Sequence, residues 1–151
     1  YPRGKGVMVD WKTPFQEMQI GTSRTLQKGQ FLAILTIGHI GNVVASILKE
    51  IKTDNIQPSH YDMRFVKPLD VDLVMQLANS HDLIVTVEEN AVMGGAGAAV
   101  IEALQAMRKN NTVLCLGLPD TFIEHGIHET MLAECGLDAK GIRAAIEKQL
   151  T

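Results

Sequence analysis

Apolar residues follow two alternating patterns from residue 31 to the end of the chain. Four segments have the length of strands: 31–38, 59–68, 82–89 and 112–119. Three of them are continuous apolar runs, which are typical of strands buried on both faces. Between and after them, apolar residues recur at the three- and four-residue spacing of helices in 40–51, 70–80, 95–109 and 136–150. This alternation predicts an α/β fold, in which a mainly parallel sheet has helices on both faces.

Short polar side chains indicate where three of these helices begin. Asn42, Asp70 and Asp138 lie at the starts of the apolar sets and are candidate N-caps. The helix over 95–109 opens instead with glycines and alanines, which permit close packing against a sheet. The second strand is expected to stop at Pro68, because proline cannot donate to a strand ladder.

The N-terminal part of the chain lacks this regular alternation. Residues 7–11 have the pattern of a short strand, and the segment before residue 31 resembles a strand and a turn, with Gly29 at the turn. We expect residues 1–30 to be an arm from a preceding domain that adds an antiparallel edge segment, and 31–151 to be the α/β domain. Because the chain opens at Tyr1 in the middle of a motif, it is expected to be part of a larger protein.

Composition narrows the class of protein. Of the 151 residues, 46% are hydrophobic and 21% are charged, which is enough apolar material for the core of one domain. The net charge of −3 does not favour nucleic-acid binding, and no apolar run approaches the roughly 18 residues of a membrane span. Cys115 and Cys135 form no metal-binding pattern, so we expect two reduced thiols, Cys115 in a buried strand, and an intracellular protein.

Two adjacent carboxylates follow the third predicted strand, at the sheet edge where open α/β proteins bind ligands. Glu88 and Glu89 are neighbours on a strand, so their side chains point to opposite faces and are not expected to form a catalytic carboxylate pair. We expect them to accept hydrogen bonds from backbone N–H groups, or to pair with Arg64 or Lys67.

A glycine-rich turn, Gly94-Gly95-Ala96-Gly97, separates these carboxylates from the next helix. Free N–H groups and the helix dipole at such a position suit an anion. The turn lacks the Gly-x-Gly-x-x-Gly spacing of a dinucleotide site and the lysine of a P-loop. Glycines here are also needed to let a helix pack closely on the sheet, so an anion site and a packing turn are both open.

Histidines provide the remaining candidates for acid–base or metal chemistry. His39 follows a strand-end glycine and is a candidate general base, but no Ser, Cys or Asp partner lies at a recognisable spacing. His125 and His128 are three residues apart, beside Glu124 and Glu129, in a loop without the helical spacing of a zinc site. The residues alone therefore predict no metal site and no complete catalytic set.

Arg3 lies in a setting that restricts the backbone. Pro2 fixes its own φ angle and Gly4 lets the chain turn behind the guanidinium group. An arginine held in this way suits forked hydrogen bonding to phosphate or carboxylate, and a mobile terminal arginine is the alternative interpretation.

Several long motifs resemble one enzyme family. YPRG at 1–4, DMRFVKPLD at 62–70, VTVEENAVMGGAGAAV at 85–100, GLPDTFIEHG at 117–126 and GLDAKGI at 136–142 are similar to the C-terminal region of the 1-deoxy-D-xylulose-5-phosphate synthase family. The motifs lie in the same order and the resemblance covers nearly the whole chain. This family is transketolase-like and depends on thiamine diphosphate. Its third domain has a mainly parallel five-stranded sheet. Transketolase itself and 2-oxo-acid dehydrogenase β subunits share that fold, but are not expected to share these motifs together.

The resemblance implies an activity for the parent protein. Family members condense pyruvate with D-glyceraldehyde 3-phosphate, release CO₂ and form 1-deoxy-D-xylulose 5-phosphate for isoprenoid, thiamine and pyridoxal phosphate synthesis. The thiamine ylid is the nucleophile and Mg²⁺ holds the diphosphate. The resemblance also implies a homodimer in the bacterial cytoplasm, or in the plastid stroma of a plant or alga.

For this chain itself, the resemblance implies a supporting role. The family's Gly-Asp-Gly…Asn cofactor motif is absent from the 151 residues, so no catalytic, cofactor-binding or metal residue is assigned and the fragment alone is expected to be inactive. Arg3 resembles the residue that holds the phosphate of glyceraldehyde 3-phosphate. The partners of this chain are expected to be the N-terminal and middle domains of the same protein. A free-standing anion- or ligand-binding regulatory module that uses the 94–97 turn is the alternative.

Overall fold

The computed structural model describes residues 14, 16–51 and 56–150, which form one sheet and five helices. The strands are β1 (Arg24–Gln27), β2 (Phe31–Ile37), β3 (Ser59–Asp62), β4 (His81–Ala91) and β5 (Thr112–Leu118). The helices are α1 (Gly41–Ile47), α2 (Val71–Ser80), α3 (Ala96–Ala106), α4 (His128–Glu134) and α5 (Ala139–Leu150). Among the described residues, no helix is long and apolar enough to cross a membrane.

The sheet is mixed, with one antiparallel strand at an edge. Its order is β1-β3-β2-β4-β5; the β3–β2, β2–β4 and β4–β5 pairs are parallel, and β1 runs antiparallel to β3. This confirms the mainly parallel sheet that the alternation predicted and the five strands that the family resemblance implied. The antiparallel edge that was expected from the arm is β1, and Gly29 lies in its connection to β2.

Two separate apolar clusters cover the two faces of the sheet. On one face, α1 and α5 pack on the central strands through buried residues that include Leu32, Ile34, Val44, Ile47, Val85, Ile142 and Ile146. On the other face, α2 and α3 pack through residues that include Ala33, Leu35, Val74, Leu77, Ile84, Val100 and Leu104. Successive residues of β2 and β4 alternate between the clusters, as expected for strands buried on both sides. The result is the predicted three-layer arrangement.

Two of the three predicted N-caps are confirmed. Asp70 caps α2 by accepting a hydrogen bond from Leu73 N at 3.0 Å, and Asp138 accepts one from Gly141 N at 2.8 Å at the start of α5. The prediction for Asn42 is wrong, because α1 begins at Gly41 after Ile40 and has no side-chain cap. The strand suggested for residues 7–11 lies outside the described residues.

The structure also differs from the sequence predictions in three segments. The helix predicted over 40–51 ends at Ile47. β3 ends at Asp62 rather than at Pro68, because Arg64 has a positive φ of 58° that turns the chain out of the sheet. Arg64 N then donates to Asp62 Oδ1 at 3.1 Å, which holds this turn. Helix α4 was not predicted; it has no fully buried residue and therefore lacks a clear apolar periodicity.

Candidate functional site

The parallel strands bring the predicted polar residues to one edge of the sheet. β2 leads into Gly38-His39, and β4 carries Glu88 and Glu89 close to its end. These strands pair directly, with Ile37 opposite Glu88, so residues distant in the sequence become neighbours in space. We define this region as the carboxyl edge.

Glu88 is buried under the start of α3. Its side chain is 1% exposed, and its two carboxylate oxygens accept hydrogen bonds from Ala96 N at 2.8 Å and Gly97 N at 2.9 Å. A carboxylate at this position neutralises two of the N–H groups that the first turn of a helix cannot satisfy, and it interacts favourably with the helix dipole. This confirms the prediction that backbone N–H groups hold Glu88.

The glycines of the turn allow this close approach. A Cβ on Gly95 would lie 2.5 Å from both carboxylate oxygens of Glu88, and a Cβ on Gly97 would lie 2.5 Å from Thr86 Oγ1 and 2.6 Å from Cys115 Sγ. Gly94, with a φ of +73°, makes the turn itself. The packing interpretation of the turn therefore holds, and the N–H groups of Ala96 and Gly97 are occupied by the chain's own anion.

Glu89 points away from Glu88, as expected for neighbours on a strand, and contacts two histidines. His39 Nδ1 lies 2.6 Å from Glu89 Oε2, and His128 Nε2 lies 3.7 Å from Glu89 Oε1. The two imidazole rings stack with their centroids 5.9 Å apart. The expected pairing of a carboxylate with Arg64 or Lys67 is wrong for Glu89, because His39 holds this position.

His39 thus has a partner that sequence reasoning missed. A carboxylate at hydrogen-bond distance orients an imidazole, as in many acid–base sites. The structure gives His39 contacts with Glu89 and with the ring of His128, and neither is a Ser or Cys nucleophile that a base would activate. His125, Glu124 and Glu129 are exposed and take no part in this cluster.

Two further histidines are buried away from this cluster. His60 is fully buried, and its Nε2 lies 3.0 Å from Thr36 Oγ1, a hydroxyl that also contacts Tyr61 O at 3.2 Å. His60 Nδ1 has no hydrogen-bond partner, and burial lowers the pKa of His60 to about 4. Burial also lowers the pKa of His81, whose ring nitrogens meet the hydroxyls of Ser59 and Ser80. Both rings are therefore neutral structural groups at pH 7.

The remaining sequence candidates have these positions. Cys115 and Cys135 are free thiols, as predicted, and both are only partly buried. For Cys115, this differs from the expected buried strand because β5 is an edge strand. Arg64 is half-buried and Lys67 is exposed in the turn after β3. Arg3, the predicted phosphate-binding residue, lies outside the described residues, so its role stays a prediction.

Comparison with known families and proteins gives a consistent match. The family model described as "Transketolase, C-terminal domain" matches residues 21–142. The chain is 56% identical over all 151 residues to 1-deoxy-D-xylulose-5-phosphate synthase of Methylobacillus flagellatus, and 47% identical over 150 residues to the synthase of Shewanella sediminis. It spans about a quarter of the length of these relatives, 24% and 23% respectively.

A solved structure agrees with the fold. A split-gene transketolase, described as an inactive β4 tetramer, superposes with a TM-score of 0.80 and 28% sequence identity. The match covers 88% of this chain and 43% of the transketolase chain. The likeness therefore extends over nearly the whole sheet and its helices.

Proposed function

Because the chain belongs to the transketolase C-terminal domain family, we propose that it is the C-terminal domain of a 1-deoxy-D-xylulose-5-phosphate synthase. The parent protein would be a thiamine-diphosphate-dependent transferase that condenses pyruvate with D-glyceraldehyde 3-phosphate and releases CO₂. The observation that carries this proposal is the 56% identity over the full 151 residues to a synthase of that name. In this proposal the chain works in the bacterial cytoplasm, or in a plastid stroma.

The residues of this chain do not fit thiamine diphosphate or its Mg²⁺. The sequence contains no Gly-Asp-Gly…Asn motif, and the helix terminus best suited to a diphosphate, at α3, already holds the carboxylate of Glu88. An incoming diphosphate would meet this buried negative charge. We therefore assign the cofactor to the other domains of the parent protein, and assign to this domain the task of supporting them, within a homodimer.

Arg3 is the one residue of the chain to which we assign a substrate contact. The Tyr-Pro-Arg-Gly segment resembles the family's binding segment for the aldehyde phosphate. A guanidinium group forms two parallel charge-assisted hydrogen bonds with a phosphate, which a lysine cannot reproduce. In the isolated chain, the rest of the proposed substrate site, which belongs to the other domains, is missing.

A domain replacement tests the proposal. The C-terminal 24% of the Methylobacillus flagellatus synthase is exchanged for this chain, and formation of 1-deoxy-D-xylulose 5-phosphate is measured with pyruvate, glyceraldehyde 3-phosphate, thiamine diphosphate and Mg²⁺. We expect activity within about tenfold of the unmodified synthase and none from this chain alone. A folded but inactive hybrid, or CO₂ release by the isolated chain, would contradict the proposed role.

The alternative of a free-standing anion-binding module depended on open N–H groups at the 94–97 turn. Glu88 occupies the N–H groups of Ala96 and Gly97, which removes the motivation for this alternative. Calorimetric titration of the chain with inorganic phosphate, nucleotides and isoprenoid diphosphates is expected to show no binding. A stoichiometric heat with any of them would restore the alternative.

A further inference from the structure

A compact group of three metal-ligating side chains lies at the carboxyl edge. His39, Glu89 and His128 each offer one donor atom, and these atoms all lie within 4.8 Å of one another. The residues come from three separate parts of the chain: the loop after β2, the end of β4 and the first residue of α4. No short motif contains any two of them, which is why the sequence predicted no metal site.

One carboxylate oxygen in this group lacks a partner. Glu89 Oε2 is 2.6 Å from His39 Nδ1, but Glu89 Oε1 is buried and makes no hydrogen bond. His128 Nε2 lies 3.7 Å from this oxygen, which is too long for a hydrogen bond. A buried carboxylate oxygen without a donor is costly, and an ion is one of the groups that can satisfy it.

The spacing suits a small divalent cation. Zn²⁺ binds imidazole nitrogen and carboxylate oxygen at about 2.0–2.2 Å, and tetrahedral geometry then places donor atoms about 3.4 Å apart. The 3.7 Å between His128 Nε2 and Glu89 Oε1 is close to this value. The shorter contact, 2.6 Å between His39 Nδ1 and Glu89 Oε2, would have to lengthen, and the metal would take the place of any proton on His39 Nδ1.

We infer that His39, Glu89 and His128 form a binding site for a divalent first-row transition-metal ion, and that Zn²⁺ is the ion that fits it best. Two imidazoles and one carboxylate are a donor set that binds Zn²⁺ with a water or substrate as fourth ligand. The exposed fractions support access for the ion: the side chains of His39 and His128 are 42% and 57% exposed, while Glu89 is 21% exposed. The carboxylate of Glu89 is thus the most buried of the three ligands, and the two histidines lie on its solvent side.

The site would connect α4 to the ends of β2 and β4, which pair directly with each other at this edge. α4 has no fully buried residue, and the chain between β5 and α4 is exposed at Phe122 and Ile127. A metal ion bound through His128 would tie α4 to the rigid end of β4. This inference is independent of the proposed synthase activity, because its ligands all belong to this chain.

Metal titration of the untagged chain tests the inference. The protein is treated with a chelator, dialysed and titrated with Zn²⁺ by calorimetry, and with Co²⁺ by visible absorption, where four-coordinate Co²⁺ has strong d–d bands. We expect one ion per chain, and a loss of affinity of at least about tenfold in each of H39A, E89Q and H128A, because even indirect partners of metal ligands change affinity by that factor. The matched control is H125A, an exposed histidine three residues from His128, which should bind Zn²⁺ as the unchanged chain does.

The outcomes separate the site from nonspecific binding. Absence of one-to-one binding, or unchanged affinity in either H39A or H128A, would overturn the inference. An equal loss in H125A would also overturn it, because it would place the metal on the loop rather than in the cluster. Circular dichroism confirms that each variant is folded, and the Co²⁺ spectrum of the unchanged chain remains informative if one variant is not. Synthase activity of the hybrid enzyme has no bearing on any of these results.

Discussion

A Cβ placed on Gly95 would meet both carboxylate oxygens of Glu88 at 2.5 Å. The glycine and the glutamate therefore depend on each other: the missing side chain leaves the space, and the carboxylate fills it and binds the N–H groups of α3. The 94–97 turn has the features of a ligand-binding loop, but its N–H groups are hydrogen-bonded by a carboxylate of the same chain.

Removing the Glu88 carboxylate should destabilise the domain. E88A leaves the N–H groups of Ala96 and Gly97 without an acceptor in a buried place, and we expect a loss of about 2–4 kcal/mol in the free energy of unfolding. E88Q keeps one acceptor and should lose less. E102Q, which changes an exposed glutamate of α3, is the control and should change stability by less than about 0.5 kcal/mol. Urea denaturation measures all three, and equal values for E88A and E102Q would refute this role.

A side chain at Gly97 should be poorly tolerated. G97A puts a methyl group 2.5 Å from Thr86 Oγ1 and 2.6 Å from Cys115 Sγ, so α3 must move away from the sheet. We expect a destabilisation of about 1–3 kcal/mol. G126A, whose added Cβ would make an ordinary contact of 3.5 Å with Met131, should be nearly neutral. C115A in the G97A background should recover part of the loss, and strict additivity in that double-mutant cycle would speak against the clash.

Stability should fall as the pH is lowered from about 6.5 to 4, in part because of His60. Its pKa is about 4 in the folded chain and near 6.5 when unfolded, so within this window the unfolded state binds the proton and the folded state does not. His60 alone should remove about 2–3 kcal/mol across the window, and the lowered pKa of His81 acts in the same direction.

Comparison of two variants isolates the contribution of His60. Unfolding free energies of H60Q and of the exposed-site control H125Q are measured from pH 7 to pH 4. H60Q should show a flatter dependence than the unchanged chain, whatever its stability at pH 7, and H125Q should show the same dependence. Parallel curves for H60Q and the unchanged chain would exclude His60 as the titrating group.

The proposed phosphate contact of Arg3 is testable in the hybrid synthase. R3A should raise the KM for glyceraldehyde 3-phosphate much more than the KM for pyruvate, with a loss of roughly 2–4 kcal/mol in transition-state binding. R3K keeps the charge but not the fork, and should recover only part of it. K5A is the control for a nearby basic residue. Steady-state kinetics that show equal effects on the two substrates would contradict the assignment.

The sheet was predictable because the buried strands have a recognisable apolar pattern in the sequence. β2 and β4 are continuous apolar runs with a helix packed on each side, so the pattern alone indicates the three layers. The end of β3 was not predictable, because the positive φ of Arg64 is imposed by the tertiary structure and is uncommon for arginine. α4 was missed because none of its residues is fully buried, so its apolar positions give no clear periodic signal.

The site was predictable only in part, for a related reason. Adjacent residues on a strand point to opposite faces, so the separate roles of Glu88 and Glu89 follow from their positions alone. The partners of Glu89 do not, because His39 and His128 lie about 50 and 40 residues away along the chain. Strand order brings His39 to Glu89, and the position of α4 brings His128 there.

The sheet order has a consequence for how the chain can be assembled during synthesis. β2 is the central strand, yet it pairs on its two sides with β3 and β4, which are both made after it; Leu32 finds its partner only at Leu83. On the ribosome, β3 emerges before β4, so the edge of β2 that pairs with β4 must stay open until β4 has also emerged. A chaperone or the upstream part of the chain could cover this unpaired strand. The yield of folded rather than aggregated domain would then depend on how well the strand is covered.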